Sequence, residues 1–138
     1  MDISNMTLEK LKQKQIEMIG FDPYDEQECL KAVKYNGEAL KYVKEQTEQI
    51  CLEAVRYYGG ALRYVREQTD MICLTAVRHK GSSIKYMVKQ TEQICLEAVK
   101  QDGLALRYVR EQTPEICLAA VNENKDAIVF VKDLSMLN

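Results

Sequence analysis

Apolar residues return along this chain in one fixed order. Ile-Cys-Leu-x-Ala-Val is followed by a glycine, then by Ala-Leu-(Lys/Arg)-Tyr-Val, then by Gln-Thr. The clearest marker is cysteine. Cys29, Cys51, Cys73, Cys95 and Cys117 each lie 22 residues from the last. Gly37, Gly59, Gly81 and Gly103 keep the same step, as do Thr47, Thr69, Thr91 and Thr113. Five copies follow from this register: 25–46, 47–68, 69–90, 91–112 and 113–134. A fixed period of this size is the mark of a repeat architecture.

The spacing predicts two short helices per copy. In the second copy Ile50, Cys51, Ala54 and Val55 form a one-sided stripe at helical spacing, with Thr47 as N-cap. Pro114 after Thr113 fits the first helical position, and Asp25 with Glu28 resembles a capping box. Gly59 is expected to end the first helix in the left-handed conformation, with Asn124 taking that role in the last copy, where Lys125 replaces Gly. Ala61, Leu62, Tyr64 and Val65 then mark a second helix. Helices of about ten and eight residues are too short to stand alone, so each copy must bury its apolar face on its neighbours. The expected fold is all-α: a short α-solenoid of five helix-turn-helix repeats, on the order of 45 Å long.

The flanks read as caps. Thr7 to Ile19 predicts an N-terminal helix stopped by Gly20, within a capping segment 1–24. Leu8, Leu11, Ile16 and Ile19 would cover the first copy while Lys10, Lys12 and Lys14 face water. The tail 135–138, which contains Met136 and Leu137 and follows Leu134, offers little polar cover, so a homodimer through the C-terminal end is an expectation.

Twenty-two is also twice eleven, a period suited to one long amphipathic helix lying on lipid. The breakers argue against it: Asn36-Gly37, Gly59-Gly60, Gly81-Ser82-Ser83 and Asp102-Gly103 all fall at one register.

Composition narrows the chemistry. The 138 residues carry 19 basic and 21 acidic side chains, a net charge of −2 that gives no overall field for nucleic acid. The residues from Met1 to Asn5 lack a signal-peptide layout, and no apolar run approaches a membrane span. The location expected on those grounds is cytoplasmic, with reduced thiols. One cysteine per copy and a single histidine, His79, do not make a zinc set, so the cysteines are read as packed hydrophobes and no cofactor is expected. No phosphate loop or nucleophile–base–orienter set is present, so the chain is read as non-enzymatic.

The phrase Gly-x-Ala-Leu-(Lys/Arg)-Tyr-Val-(Lys/Arg)-x-Gln-Thr, at Gly37 to Thr47 and Gly59 to Thr69, together with Ile-Cys-Leu-x-Ala-Val, resembles the repeat family known as domain of unknown function 4116. The resemblance covers about Asp25 to Asp133. It implies a viral or host-interaction setting, in a host cytoplasm if viral, and it brings no catalytic residue.

Two surfaces are candidates for binding. The first is the turn between the two helices, where the framework is uniform and the side chains differ. Tyr35, Tyr57, Tyr58 and His79 are its anchors for a protein partner. The second is a set of basic rows: Lys34, Arg56, Arg78 and Lys100; Lys41, Arg63, Lys85 and Arg107; Lys44, Arg66 and Arg110. With Tyr42, Tyr64, Tyr86 and Tyr108 beside them, such rows could take phosphates and stack bases. The opposing reading is solvation, because Glu45, Glu67 and Glu111 share those segments. The primary expectation is a scaffold that binds a protein along its repeat surface, with nucleic-acid binding as the alternative.

Overall fold

A computed structural model describes residues 2–138; Met1, at the head of the expected capping segment, lies outside the described residues. An N-terminal helix, α1 (Leu8–Ile19), precedes five α-helices of ten residues each. These are α2 (Glu26–Tyr35), α3 (Glu48–Tyr57), α4 (Asp70–His79), α5 (Glu92–Gln101) and α6 (Pro114–Glu123). Each is followed by a six-residue 3₁₀-helix: η1 (Gly37–Tyr42), η2 (Gly59–Tyr64), η3 (Gly81–Tyr86), η4 (Gly103–Tyr108) and η5 (Lys125–Phe130). A final turn, η6 (Leu134–Leu137), ends the chain. Successive α-helices pack side by side, successive 3₁₀-helices do the same, and one continuous core runs between the two layers.

The α-helices begin as the sequence predicts. Thr47, Thr69, Thr91 and Thr113 are extended cap residues whose side chains accept from the amide three residues on, and Asp25 does the same for Glu28. The capping box is not formed: the Glu28 carboxylate accepts from the amide of Asp22, ahead of the cap. Thr7 caps α1 and Gly20 ends it at φ 91°.

Three further expectations are corrected. The second helix of each copy is a 3₁₀-helix, not an α-helix of about eight residues. Its buried stripe has a spacing of three, as in Gly59, Leu62 and Val65, and three residues per turn line these up on one edge. The repeat glycines are not left-handed stops. Gly20 is the one positive-φ residue among the described residues, and the chain leaves each α-helix through an extended residue such as Tyr58 or Asn124, each at φ −147°. Glycine is needed there for close approach instead. A Cβ on Gly59 would lie 2.8 Å from the carbonyl oxygen of Ala76, at the end of the next copy's α-helix. At Gly81 and Gly103 it would collide with the carbonyls of Ala98 and Ala120.

The third correction concerns α1, which meets the first copy through its last residue, Ile19, and does not lie over it. It buries none of its side chains, and Leu8 is 68% exposed. It leans on the following turn, where Lys12 lies 4.7 Å from the Tyr24 ring centroid and the Tyr24 hydroxyl donates to Gln15. Phe21 in that turn reaches the core. At the other end Met136 and Leu137 of η6 pack against the core while Leu134 stays 62% exposed. Among the described residues no helix is long and apolar enough to cross a membrane.

Candidate functional site

The turn-edge residues divide into two pairs. Tyr35 and Tyr57 end α2 and α3 and point outward, 96% and 53% exposed. They share a shallow cleft with Lys34, Asn36, Glu38 and Tyr58. Tyr58 and His79 are spoken for by the fold. The Tyr58 ring lies over Gly37 and Gly60, so close that a Cβ on either would strike it. His79 Nδ1 accepts the amide hydrogen of Gly59 at 3.1 Å, which requires Nδ1 to be unprotonated. Gln101 takes the amide of Gly81 in the same way, and Glu123 that of Gly103. Sequence alone placed His79 among the anchors because its register shows such varied residues. In the last three copies the residue at this register, His79, Gln101 or Glu123, accepts a glycine amide of the preceding copy, a task that Tyr35 and Tyr57 at the same register do not perform.

The basic rows also part company. Lys34, Arg56, Arg78 and Lys100 stand exposed at the α-helix C-termini, where positive charge complements the helix dipole. Arg56 pairs with Glu53 at 3.3 Å and Arg78 with Glu97 at 3.4 Å. In the second row the cations interleave with aromatic rings. Lys41 and Arg63 lie 5.9 and 4.6 Å from the Tyr64 centroid. Arg63 and Lys85 lie 5.9 and 5.0 Å from Tyr86. Lys85 and Arg107 lie 5.4 and 4.7 Å from Tyr108, and Arg107 reaches Phe130 at 6.0 Å. Each of these tyrosines already carries two cations, which leaves little ring face for a base.

The third row holds the structure together. Arg66 donates to the carbonyls of Lys44 and Val43 in the preceding copy, and Arg110 to those of Val88 and Met87. Lys44 stands exposed at the head of this row, and its amide donates to the carbonyl of Pro23. The expected row of free phosphate ligands is thereby corrected at Arg66 and Arg110: their guanidinium groups donate hydrogen bonds to backbone carbonyls of the preceding copy.

A row that the sequence reading left aside turns out to be central. Gln46, Gln68, Gln90 and Gln112 each clamp the next copy. Their Nε2 groups donate to the carbonyls of Tyr64, Tyr86, Tyr108 and Phe130 at 2.8–3.0 Å. Their Oε1 atoms accept the amides of Arg66, Val88, Arg110 and Lys132, each at 3.0 Å. One primary amide thus replaces a two-bond rung of backbone pairing in a connection that has no strand to pair with. The signal was in the sequence, an invariant Gln before each Thr, but polar residues before a cap carry no pattern that announces a clamp.

The cysteines are buried and unbridged. Burial pushes the thiols of Cys29, Cys51, Cys73 and Cys95 up to about 11, and raises that of Cys117. Cys51, Cys95 and Cys117 face the Oε1 atoms of Gln46, Gln90 and Gln112 at 3.5–3.7 Å, so they also back the clamps. They are weak nucleophiles in this setting.

The geometry therefore offers an exposed edge, an exposed cation row and a set of sealed joints. No curated protein and no solved structure matches the chain. A family description does match, at residues 25–68, 72–113 and 92–134, which together span most of its length. The chain belongs to the family described as domain of unknown function (DUF4116).

Proposed function

We propose that this chain is a non-enzymatic scaffold that binds a partner protein along the edge formed by the turns between α-helices and 3₁₀-helices. The observation that carries this reading is the pair Tyr35 and Tyr57: two large aromatic side chains held outward on adjacent copies, beside one cleft, with no structural task of their own. Aromatic anchors of this kind supply a large share of binding energy at protein interfaces. Lys34 and Arg56 precede them on the same helices and would steer an acidic partner. Tyr58 lines the same cleft while its ring also packs over Gly37 and Gly60, and His79 is exposed while it also accepts the Gly59 amide, so both serve the joints as well as the edge.

The nucleic-acid alternative draws its support from Lys34, Arg56, Arg78 and Lys100, since the other two rows are largely engaged with rings or carbonyls. The lipid-surface reading needs a continuous amphipathic helix, and the five short α-helices do not provide one.

Affinity capture from cells expressing the chain tests the proposal when it is repeated with Tyr35→Ala/Tyr57→Ala. Loss of a partner by the double variant supports it. Retention of every partner overturns it.

A further inference from the structure

The joints between copies define what the leading face of a copy needs. In copies two to five that face is covered by the preceding copy, and its small residues, Ala54 and Ala61 in the second and Ala98 and Ala105 in the fourth, are 0% exposed. In the first copy the same positions, Ala32 and Ala39, are only partly buried, and Tyr42 is 42% exposed. They floor a cleft of about 570 Å³, walled on one side by Ile19 and Phe21.

Beside this cleft stands α1, whose apolar arc of Leu8, Leu11, Met18 and Ile19 has no helix to pack on. A helix of twelve residues is marginal without a partner. Yet α1 cannot lie in the cleft of its own chain. Within a copy, residues 36–42 carry the chain from the end of α2 to Val43. Phe21 holds the position 22 residues before Val43, and only Gly20 separates it from α1. The tether is too short to lay α1 where a preceding α-helix would rest.

The C-terminal end of another copy does not fit either. Lys125 stands at the glycine register, where a Cβ collides with the α-helix of a following copy, and η6 packs Met136 and Leu137 onto the core at that end.

We propose that two copies of this chain pair through their N-terminal ends, with α1 of each lying across the open first-copy cleft of the other. A two-fold arrangement covers both unpartnered surfaces at once, whereas a foreign helix would cover the cleft and leave α1 bare. The internal joint, a ten-residue helix seated on the alanine face of the next copy, is the template for this contact. Tyr35, Asn36 and Glu38 line both this cleft and the turn-edge cleft, so the two surfaces adjoin. The pairing is measured on the purified chain alone and through Leu11 and Ala39, which the turn-edge reading does not use, so the two readings fail separately.

Sedimentation equilibrium on the full chain, up to about 100 µM, is the test, since that concentration saturates a micromolar Kd. A dimer is expected. Leu11→Glu on α1 and Ala39→Arg in the cleft should each weaken it at least tenfold, with folding checked by circular dichroism. Mixing the two variants should recover a dimer, because one intact exchange remains between an unaltered α1 and an unaltered cleft. Leu134→Asp at the other end should leave the mass unchanged. A chain that stays monomeric throughout overturns the proposal. So does a dimer that ignores Leu11→Glu and Ala39→Arg, or one that Leu134→Asp abolishes.

Discussion

The side-chain nitrogen of Gln90 donates to the carbonyl of Tyr108 at 2.9 Å, 18 residues further along the chain. The other end of the same amide accepts from Arg110, 20 residues on. Both bonds belong to a joint, so their loss should be felt as loss of stacking. Gln90→Leu leaves two backbone groups without partners and should destabilise the chain by about 2–4 kcal/mol, taking about 1–3 for each orphaned group and allowing for partial hydration. Gln90→Glu keeps the acceptor but aims a carboxylate at a carbonyl, and should be at least as harmful. Urea titration followed by circular dichroism measures both.

Ser83 is the odd member of a small-residue register shared with Ala39, Ala61, Ala105 and Ala127. It is 1% exposed and its hydroxyl oxygen has no hydrogen-bond partner. Ser83→Ala should therefore stabilise the protein by about 1 kcal/mol, removing an uncompensated polar group without leaving a cavity. A thermal melt that moves downward would contradict this.

The glycines differ by cause. Gly81→Ala drives a methyl into the backbone of α5 and should cost about 2 kcal/mol or more, as rigid neighbours cannot yield. Gly20→Ala meets nothing within 4 Å but inherits φ 91°, and should cost about 1–2 kcal/mol from backbone strain alone. Adding Tyr35→Ala as a reference should give a change within about 0.5 kcal/mol, because that side chain is in water.

The thiols predict a stability limit at high pH. Each folded value lies above the ordinary 9.0, reaching about 11 at Cys51, Cys73 and Cys95, so the folded chain keeps these protons longer than the unfolded one. That contribution is complete below pH 9 and is lost as pH rises toward 11. The melting temperature should fall across this window, and Cys73→Val should lessen the fall. At pH 8 all five thiols should resist alkylation until denaturant is added. Rapid labelling of the native chain would contradict their burial.

Much of this architecture was legible in the sequence because the 22-residue step fixes the copies before any conformation is assigned. Thr47 and Pro114 marked the starts of α3 and α6 from local chemistry alone. The 3₁₀ geometry escaped because Ala61, Leu62, Tyr64 and Val65 fit a turn of an α-helix as well as the edge of a tighter one. The glycine role escaped for a different reason. A helix stop and a close approach both call for glycine, and only the position of the next copy separates them. The candidate site was half legible. Tyr35 and Tyr57 were chosen for their turn position, which is correct for exposure. Tyr58, His79, Arg66 and Arg110 look equally surface-bound in sequence, and their tasks arise from a neighbour one period away.

The reach of the glutamine clamp, 18 and 20 residues in every copy, makes the chain modular in its folding as well as its shape. Nothing that holds a joint extends much beyond one period, so contacts are confined to a copy and its neighbours and ordering can begin at any joint and spread to the next. Excising residues 69–90 would bring Gln68 to the register that Gln90 now holds toward Tyr108 and Arg110. A chain shortened by one whole period should still close every joint it has left, whereas one shortened by half a period should close none across the cut.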